Sequence, residues 1–207
     1  MQYSVILPTL NENGHITRLI SAIEKIFKFN KKVFEIIVID DNSTDGTIDT
    51  VKLLVQQKSN LKLNIRSNLK KNLAESINLG IRQAQYENII WMDADFQHPP
   101  IYIQEFIKKS DRFDVIICSR FLKGSERYFK DENSNKDINE NQSYIFNQIC
   151  KVLLYKDITD YTSGYICIKK KIFKNFKLSG FYGDYFVNLL TYLKRNNFNI
   201  IEIPFKD

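Results

Sequence analysis

Cysteine is scarce: Cys118, Cys150 and Cys167 are the only three in 207 residues, far apart and set among apolar neighbours. That number and spacing exclude a disulfide framework and a thiolate metal site, so the three are expected as reduced core residues. No run of about eighteen apolar residues occurs, and no membrane span is expected. Met1-Gln2-Tyr3-Ser4 leads straight into a strand pattern without a basic region or a signal-type apolar core, as expected of a cytoplasmic protein. Internal repeats are absent, and no second domain is evident. No basic helix is interleaved with aromatics, which argues against nucleic acid as a partner. What is present suffices for a core, since 43% of the residues are apolar. The net charge of +6, from 30 Lys plus Arg against 24 Asp plus Glu, fits an anionic partner such as a nucleotide, a lipid phosphate or an acidic membrane face. A general abundance of lysine accounts for it equally well.

The most informative stretch is Ile89-Ile90-Trp91-Met92-Asp93-Ala94-Asp95-Phe96-Gln97-His98-Pro99-Pro100. A continuous apolar run predicts a strand buried on both faces, and its abrupt change to Asp93 and Asp95 puts carboxylates at the C-terminal edge of a sheet, where open α/β sheets bind ligands. Taken alone, an Asp-x-Asp is an ordinary solvated turn. A second acidic strand end, Asp40-Asp41-Asn42-Ser43-Thr44-Asp45-Gly46-Thr47, follows the apolar run Phe34 to Ile39. Two such clusters on one edge repel each other unless a cation or a set of donors lies between them. Asp93, Asp95 and the neutral oxygen of Gln97 suit a hard cation, Mg2+ or Mn2+.

The rest of the chain alternates strand, polar loop and helix. Strands are expected at Tyr3 to Leu7, Phe34 to Ile39, Leu61 to Ile65, Ile89 to Met92, Val115 to Cys118, Ile166 to Ile168 and Ile200 to Phe205. Helical spacing joins Ile16 to Phe27, Ile48 to Val55, Leu73 to Gln85, Ile103 to Ile107 and Phe186 to Asn196, and Tyr144, Ile145, Ile149, Val152, Leu153 and Leu154 suggest one more helix. This alternation implies an α/β fold with a mostly parallel sheet. Arg66, Lys70 and Lys71 lie in a loop at the same edge, where a pyrophosphate or a base could meet them. Lys123 to Asn141, too poor in apolar residues to pack, is expected to be a mobile loop. The aromatics Phe173, Phe176, Phe181, Tyr182, Tyr185 and Phe186 are either core or an apolar surface that meets lipid.

These segments resemble, in order, the motifs of the inverting family-two glycosyltransferases, and within them the polyprenol-phosphate (dolichol-phosphate) mannosyltransferase-like branch. Pro8-Thr9-Leu10-Asn11-Glu12, Asp40 to Thr47, Asp93 to Pro100, Ser119-Arg120, Asp160 to Tyr165 and Glu202-Ile203-Pro204 carry the resemblance over nearly the whole chain. It implies a GT-A fold, a Rossmann-like, mostly parallel sheet flanked by helices. One domain would span residues 1–207, with a donor half to about residue 120 and an acceptor half beyond it. It further implies a GDP- or UDP-sugar donor, with Asp93, Asp95 and Gln97 on the metal and donor diphosphate. Asp40 would meet the base beside Pro8, Asn11 and Glu12, with Asp41 and Arg66 also on the donor, and Arg120 would meet phosphate. The implied acceptor is a polyprenol phosphate at the cytoplasmic membrane face. A saccharide acceptor would instead need a general base, for which Asp184 or Asp160 are the candidates. The sequence departs from the branch at Asn72, where glycine is usual, and at Asn139, where an acceptor-binding arginine is usual. The reading from another class is a non-catalytic nucleotide-sugar binding module.

Overall fold

The computed structural model describes residues 1–67, 70–125, 138–180 and 183–206. Its elements follow in the order β1 (Gln2–Thr9), α1 (Ile16–Phe29), β2 (Val33–Asp40), α2 (Thr47–Gln57), β3 (Leu61–Ile65), α3 (Leu73–Gln83), β4 (Asn88–Trp91), α4 (Ile103–Lys109), β5 (Val115–Ser119), α5 (Ile138–Leu153), β6 (Ile166–Lys169), α6 (Asp184–Arg195) and β7 (Ile200–Pro204). The strands form one seven-stranded sheet in the order β3-β2-β1-β4-β6-β5-β7. All neighbours are parallel except β6, which runs antiparallel between β4 and β5. The expected α/β architecture with a mostly parallel sheet is the one observed.

The sheet is buried on both faces because its strands are apolar at successive positions. Val5 and Leu7 of β1 face α1, α2 and α4, while Ile6 between them faces α3 and α6. On α1, Ile16, Leu19, Ile20, Ile23 and Phe27 recur at helical spacing and are fully buried. Close packing limits residue size on the other face: a Cβ at Gly80 of α3 would collide with the side chain of Ile6. The three cysteines are buried and free, as expected. No described helix is long and apolar enough to cross a membrane.

Two expectations change at the middle of the chain. Helix α5 begins at Ile138, inside the segment expected to be a loop, and residues 126–137 of that segment lie outside the described residues. The apolar positions of α5 do form a helix, but Ile145, Phe146, Ile149, Val152 and Leu153 point outward, and its covered side carries Ser143, Asn147 and Cys150. Of the aromatic cluster, Tyr185 and Phe186 are buried, and Phe173 and Phe176 pack against the core beside α3 and α6; Phe181 and Tyr182 lie outside the described residues.

At the edge of the sheet remote from the acidic loops, Glu35 is buried and charged. Burial alone would raise its carboxyl, but donors from Lys62, Ser4 and the Gln85 backbone outweigh it and hold the group below its ordinary 4.5. Ser4 Oγ and Gln85 N–H both donate to Oε1 at 2.6 Å, and Lys62 Nζ donates to Oε2 at 2.7 Å. A lowered native pKa contributes stability that is present above the unfolded value and lost as pH falls through the native one. In urea unfolding at a series of pH values, Glu35→Gln should therefore be less stable than the wild type at neutral pH, with the difference shrinking below about pH 4.

Candidate active site

Parallel pairing brings the functional loops together. Thr9 of β1 is level with Asp40 of β2, and Ile6 is level with Trp91 of β4, so all three strands release their loops at one edge. Antiparallel β6 enters the sheet from that same edge, because its first residue, Ile166, pairs with Trp91, and it brings the Asp160 to Tyr165 loop alongside. The result is an open cleft of about 970 Å3 whose walls include Pro8, Thr9, Asp41, Lys70, Lys71, Asp93, Thr162, Ser163, Gly164, Gly183 and Tyr185.

The first two loops lock onto each other. Asn11 N–H donates to Ser43 Oγ (2.8 Å), Glu12 N–H to Thr47 Oγ1 (2.9 Å), and Thr44 N–H to Asn11 Oδ1 (2.9 Å). Asn11 and Asn42 hold left-handed backbone, which asparagine tolerates better than most residues. Asn11 and Glu12 thereby brace the loop pair and do not line the cleft. Asp40 does not line it either: it is fully buried, and both its oxygens accept from Ser43, the backbone N–H and the hydroxyl each at 2.7 Å. The carboxylate that the second loop presents to the cleft is Asp41.

Asp41 in turn depends on Arg66, which the sequence placed on the ligand. Arg66 is 8% exposed and donates through one terminal nitrogen to Asp41, to Ser76 Oγ at 2.8 Å and to the Asn72 carbonyl at 3.2 Å. The Asn72 N–H donates to the other Asp41 oxygen at 3.1 Å. Arg66 serves as a buried brace here, one nitrogen tying Asp41 to Ser76 and Asn72, and the solvent-facing cations of this loop are Lys70 and Lys71. Asn72 also caps α3, its side chain accepting from Glu75 N–H at 3.0 Å.

On the third loop Asp93 opens onto the cleft. Burial of the surrounding walls pushes its carboxyl above the ordinary range, a shift that His98 opposes, Asp95 reinforces and Arg120 opposes. His98, which sequence reasoning passed over, is 6% exposed. Burial lowers its pKa and favours the neutral ring, whose Nδ1 accepts the Asp93 N–H at 3.0 Å while Nε2 lies 3.6 Å from Asp93 Oδ2. Tyr165 stacks on the ring at 4.9 Å and fixes its plane. Asp95 Oδ1 accepts the Gln97 N–H at 2.9 Å. Among the described residues no group of three or more histidines, cysteines or acids is arranged to hold a metal ion. Two carboxylates at an open edge match a hard divalent cation that keeps waters and takes its other ligands from a bound diphosphate.

Arg120, at the end of β5, forms a fork with Asp160: Nε donates to Oδ2 at 2.8 Å, and NH2 to Oδ1 at 2.9 Å and to Thr162 Oγ1 at 2.7 Å. Asp160 is fully buried, and its loop is held by Glu202, whose carboxylate accepts the Thr159 and Asp160 N–H groups between 2.8 and 3.0 Å. Asn147 of α5 donates to Thr162 Oγ1 at 3.1 Å. Asp184, at the start of α6, is exposed and folds back on Gly180, where a Cβ would meet the carboxylate within 2.6 Å. It is not part of the cleft wall. The cleft thus brings Pro8, Asp41 and Asp93 together with Arg120 behind Thr162; of the other predicted site residues, Asn11, Glu12, Asp40, Arg66, Asp95, Gln97 and Asp184 are not part of its wall.

A family model described as glycosyl transferase family 2 matches residues 4–176, and the chain belongs to that family. It is 29% identical over 208 residues to the dolichol-phosphate mannosyltransferase of Pyrococcus furiosus, covering 99% of this chain and 56% of that protein. It is 38% identical over 101 residues to the dolichol-phosphate mannosyltransferase of Mycosarcoma maydis, covering 47% of this chain and 34% of the relative. The chain thus spans about half the length, or less, of these curated relatives. Among solved structures it superposes with a TM-score of 0.73 and 16% identity on glucosyl-3-phosphoglycerate synthase from Mycobacterium tuberculosis, determined with Mn2+, UDP and glucosyl-3-phosphoglycerate, over 99% of this chain and 70% of that one. The fold is the GT-A fold.

The Arg120–Asp160 fork gives the most direct stability test of this architecture. Asp160 is fully buried and accepts two charge-assisted bonds from Arg120, so Asp160→Ala should lower unfolding free energy by about 3 kcal/mol in chemical denaturation. A loss below about 1 kcal/mol, the size expected of a surface pair, would show that the fork is solvent-screened.

Proposed function

We propose that this chain transfers a sugar from a nucleoside-diphosphate sugar to a polyprenol phosphate, with Mg2+ or Mn2+ held by Asp93 and Asp95, and Gln97 as a further oxygen. The observation that carries the proposal is Asp93, a half-exposed carboxylate at the end of β4 that opens onto the same cleft as Asp41. The dolichol-phosphate mannosyltransferases among the relatives and the Mn2+ and UDP bound by the structural neighbour support it.

Within this reading Asp41, braced by Arg66, accepts from a base N–H, and Pro8 and the Lys70-Lys71 loop flank the nucleotide. Asp40, Asn11 and Glu12 act one layer back, keeping the two loops in register. A bound divalent cation would neutralise charge that develops on the departing nucleoside diphosphate. The acceptor phosphate is ionised at neutral pH, so its oxygen attacks the anomeric carbon without a protein base. The side chains fit that economy: Asp160 is committed to Arg120, and Asp184 turns onto Gly180. Asp160, fully buried and bonded to Arg120, is therefore badly placed as a base for a saccharide acceptor. Arg120 lies beside Thr162 on the acceptor side, where its planar donors suit a phosphate. The reaction runs within one domain, donor half to about residue 120 and acceptor half beyond it, at a membrane face that supplies the acceptor.

Transfer of labelled sugar to a short-chain polyprenol phosphate, compared with a neutral saccharide, tests the reading. Only the lipid phosphate should be glycosylated, and glycosylation of the saccharide alone would contradict it. No transfer to either, with donor still bound, would mark a binding module. Arg120→Lys keeps the charge against Asp160 but loses the fork. It should cost transfer about 1.5 to 3 kcal/mol in kcat/KM while nucleotide affinity in the presence of Mn2+ stays within a factor of about two.

A further inference from the structure

Two polar groups meet behind the cleft wall without satisfying each other. Tyr185, in the first turn of α6, lines the cleft but is only 3% exposed, and its ring is held in the core beside Phe186, centroid to centroid at 6.0 Å. Trp91, at the end of β4, is 1% exposed. Its indole N–H faces the Tyr185 oxygen too loosely for a full hydrogen bond, and Nε1 has no such bond among the described residues. Buried polar groups are nearly always paired, because desolvating them without a partner costs free energy. Gly164 keeps the place open: its backbone is left-handed, at φ +68°, and a Cβ there would lie 3.4 Å from the Tyr185 hydroxyl and 3.8 Å from the His98 ring. Burial, and after it the charge of Asp93, holds the phenol far on the protonated side, against a smaller pull from the Trp91 indole. A neutral, rigidly held O–H thus stands in the wall close to Asp93.

We propose that the Tyr185 hydroxyl bonds a hydroxyl group of the donor's sugar, which makes Tyr185 a residue that selects the sugar. The inference rests on the proposed nucleoside-diphosphate-sugar donor and deepens it by naming a side chain that reads the part transferred. Position separates the three parts of such a donor. Asp41 takes the base, and Asp93 with its cation takes the diphosphate. The charged group that acts on Tyr185 is Asp93, so the hydroxyl belongs to the diphosphate end, where the sugar hangs from the terminal phosphate. Chemistry makes the same choice. An anionic phosphate is best met by a cation or a charged fork, whereas a phenol that stays neutral beside a carboxylate matches a neutral sugar hydroxyl, which can both donate and accept. The core packing of its ring means that little side-chain freedom is lost when the bond forms.

The test is calorimetric binding in the presence of Mn2+, with UDP, GDP, UDP-glucose, UDP-N-acetylglucosamine and GDP-mannose as probes, on the whole chain and on Tyr185→Phe. That substitution removes one oxygen and keeps the ring packing. The variant should bind the preferred nucleoside diphosphate within about twofold of the wild type, which also shows that it is folded, and should bind the matching nucleotide sugar about three- to tenfold more weakly, the size of one neutral hydrogen bond. Unchanged affinity for the nucleotide sugar would overturn the proposal. An equal loss for the nucleoside diphosphate and its sugar would overturn it as well, because the hydroxyl would then serve the diphosphate. A wild type that binds UDP or GDP but none of the three nucleotide sugars would overturn the sugar assignment and leave the nucleotide site standing. A wild type that binds neither UDP nor GDP with Mn2+ would contradict the donor reading itself, and this inference with it.

Discussion

Like charges gathered at one edge of a sheet are the constraint that the rest of this structure answers. Parallel pairing delivers Asp40, Asp41, Asp93 and Asp95 to one place, and antiparallel β6 adds Asp160. Three of the five are resolved internally: Asp40 by two bonds from Ser43, Asp41 by Arg66 and the Asn72 N–H, and Asp160 by the Arg120 fork. Asp95 receives the Gln97 N–H, and Asp93 is left opening onto the cleft with its carboxyl pushed up. A fold that satisfies its other edge carboxylates and leaves this pair open has the electrostatics that the proposed cation would answer.

The same constraint explains which side chains can do chemistry. Arg66 and Arg120 are both partly committed to holding a carboxylate, so each acts through what it positions as well as through its own charge. His98 is of the same kind. Its ring ties the Asp93 backbone to Tyr165, so the third loop is referenced to the strand that brings the Asp160 to Tyr165 loop to this edge.

Much of this was legible in the residues. Apolar runs ending in Asp40 and Asp93 fixed both strands and the edge at which they end, because a strand buried on both faces leaves no other reading of its C-terminal carboxylates. What stayed hidden was orientation. Adjacent Asp40 and Asp41 look alike in sequence, and only the Ser43 turn decides that one is sealed and the other faces the cleft. Arg66 was placed on the ligand because charge near a site is visible and its commitment to a buried partner is not. The periodicity of α5 showed a helix but not which side was covered, since a 3.6-residue period is the same for a face turned to a core and one turned outward. His98 gave no signal of its own, as a histidine before two prolines reads as turn chemistry.

The central claim is that Asp93 and Asp95 are left for a cation shared with a diphosphate. Calorimetric titration of UDP and GDP into the chain, with and without Mn2+, measures it directly. The account predicts that one of the two nucleotides binds at least about tenfold more tightly with Mn2+ than without it, and that Asp95→Asn, which keeps the side-chain volume and removes a charge, erases that gain. Nucleotide binding of equal strength in the absence of the metal, or a gain that survives Asp95→Asn, would contradict it.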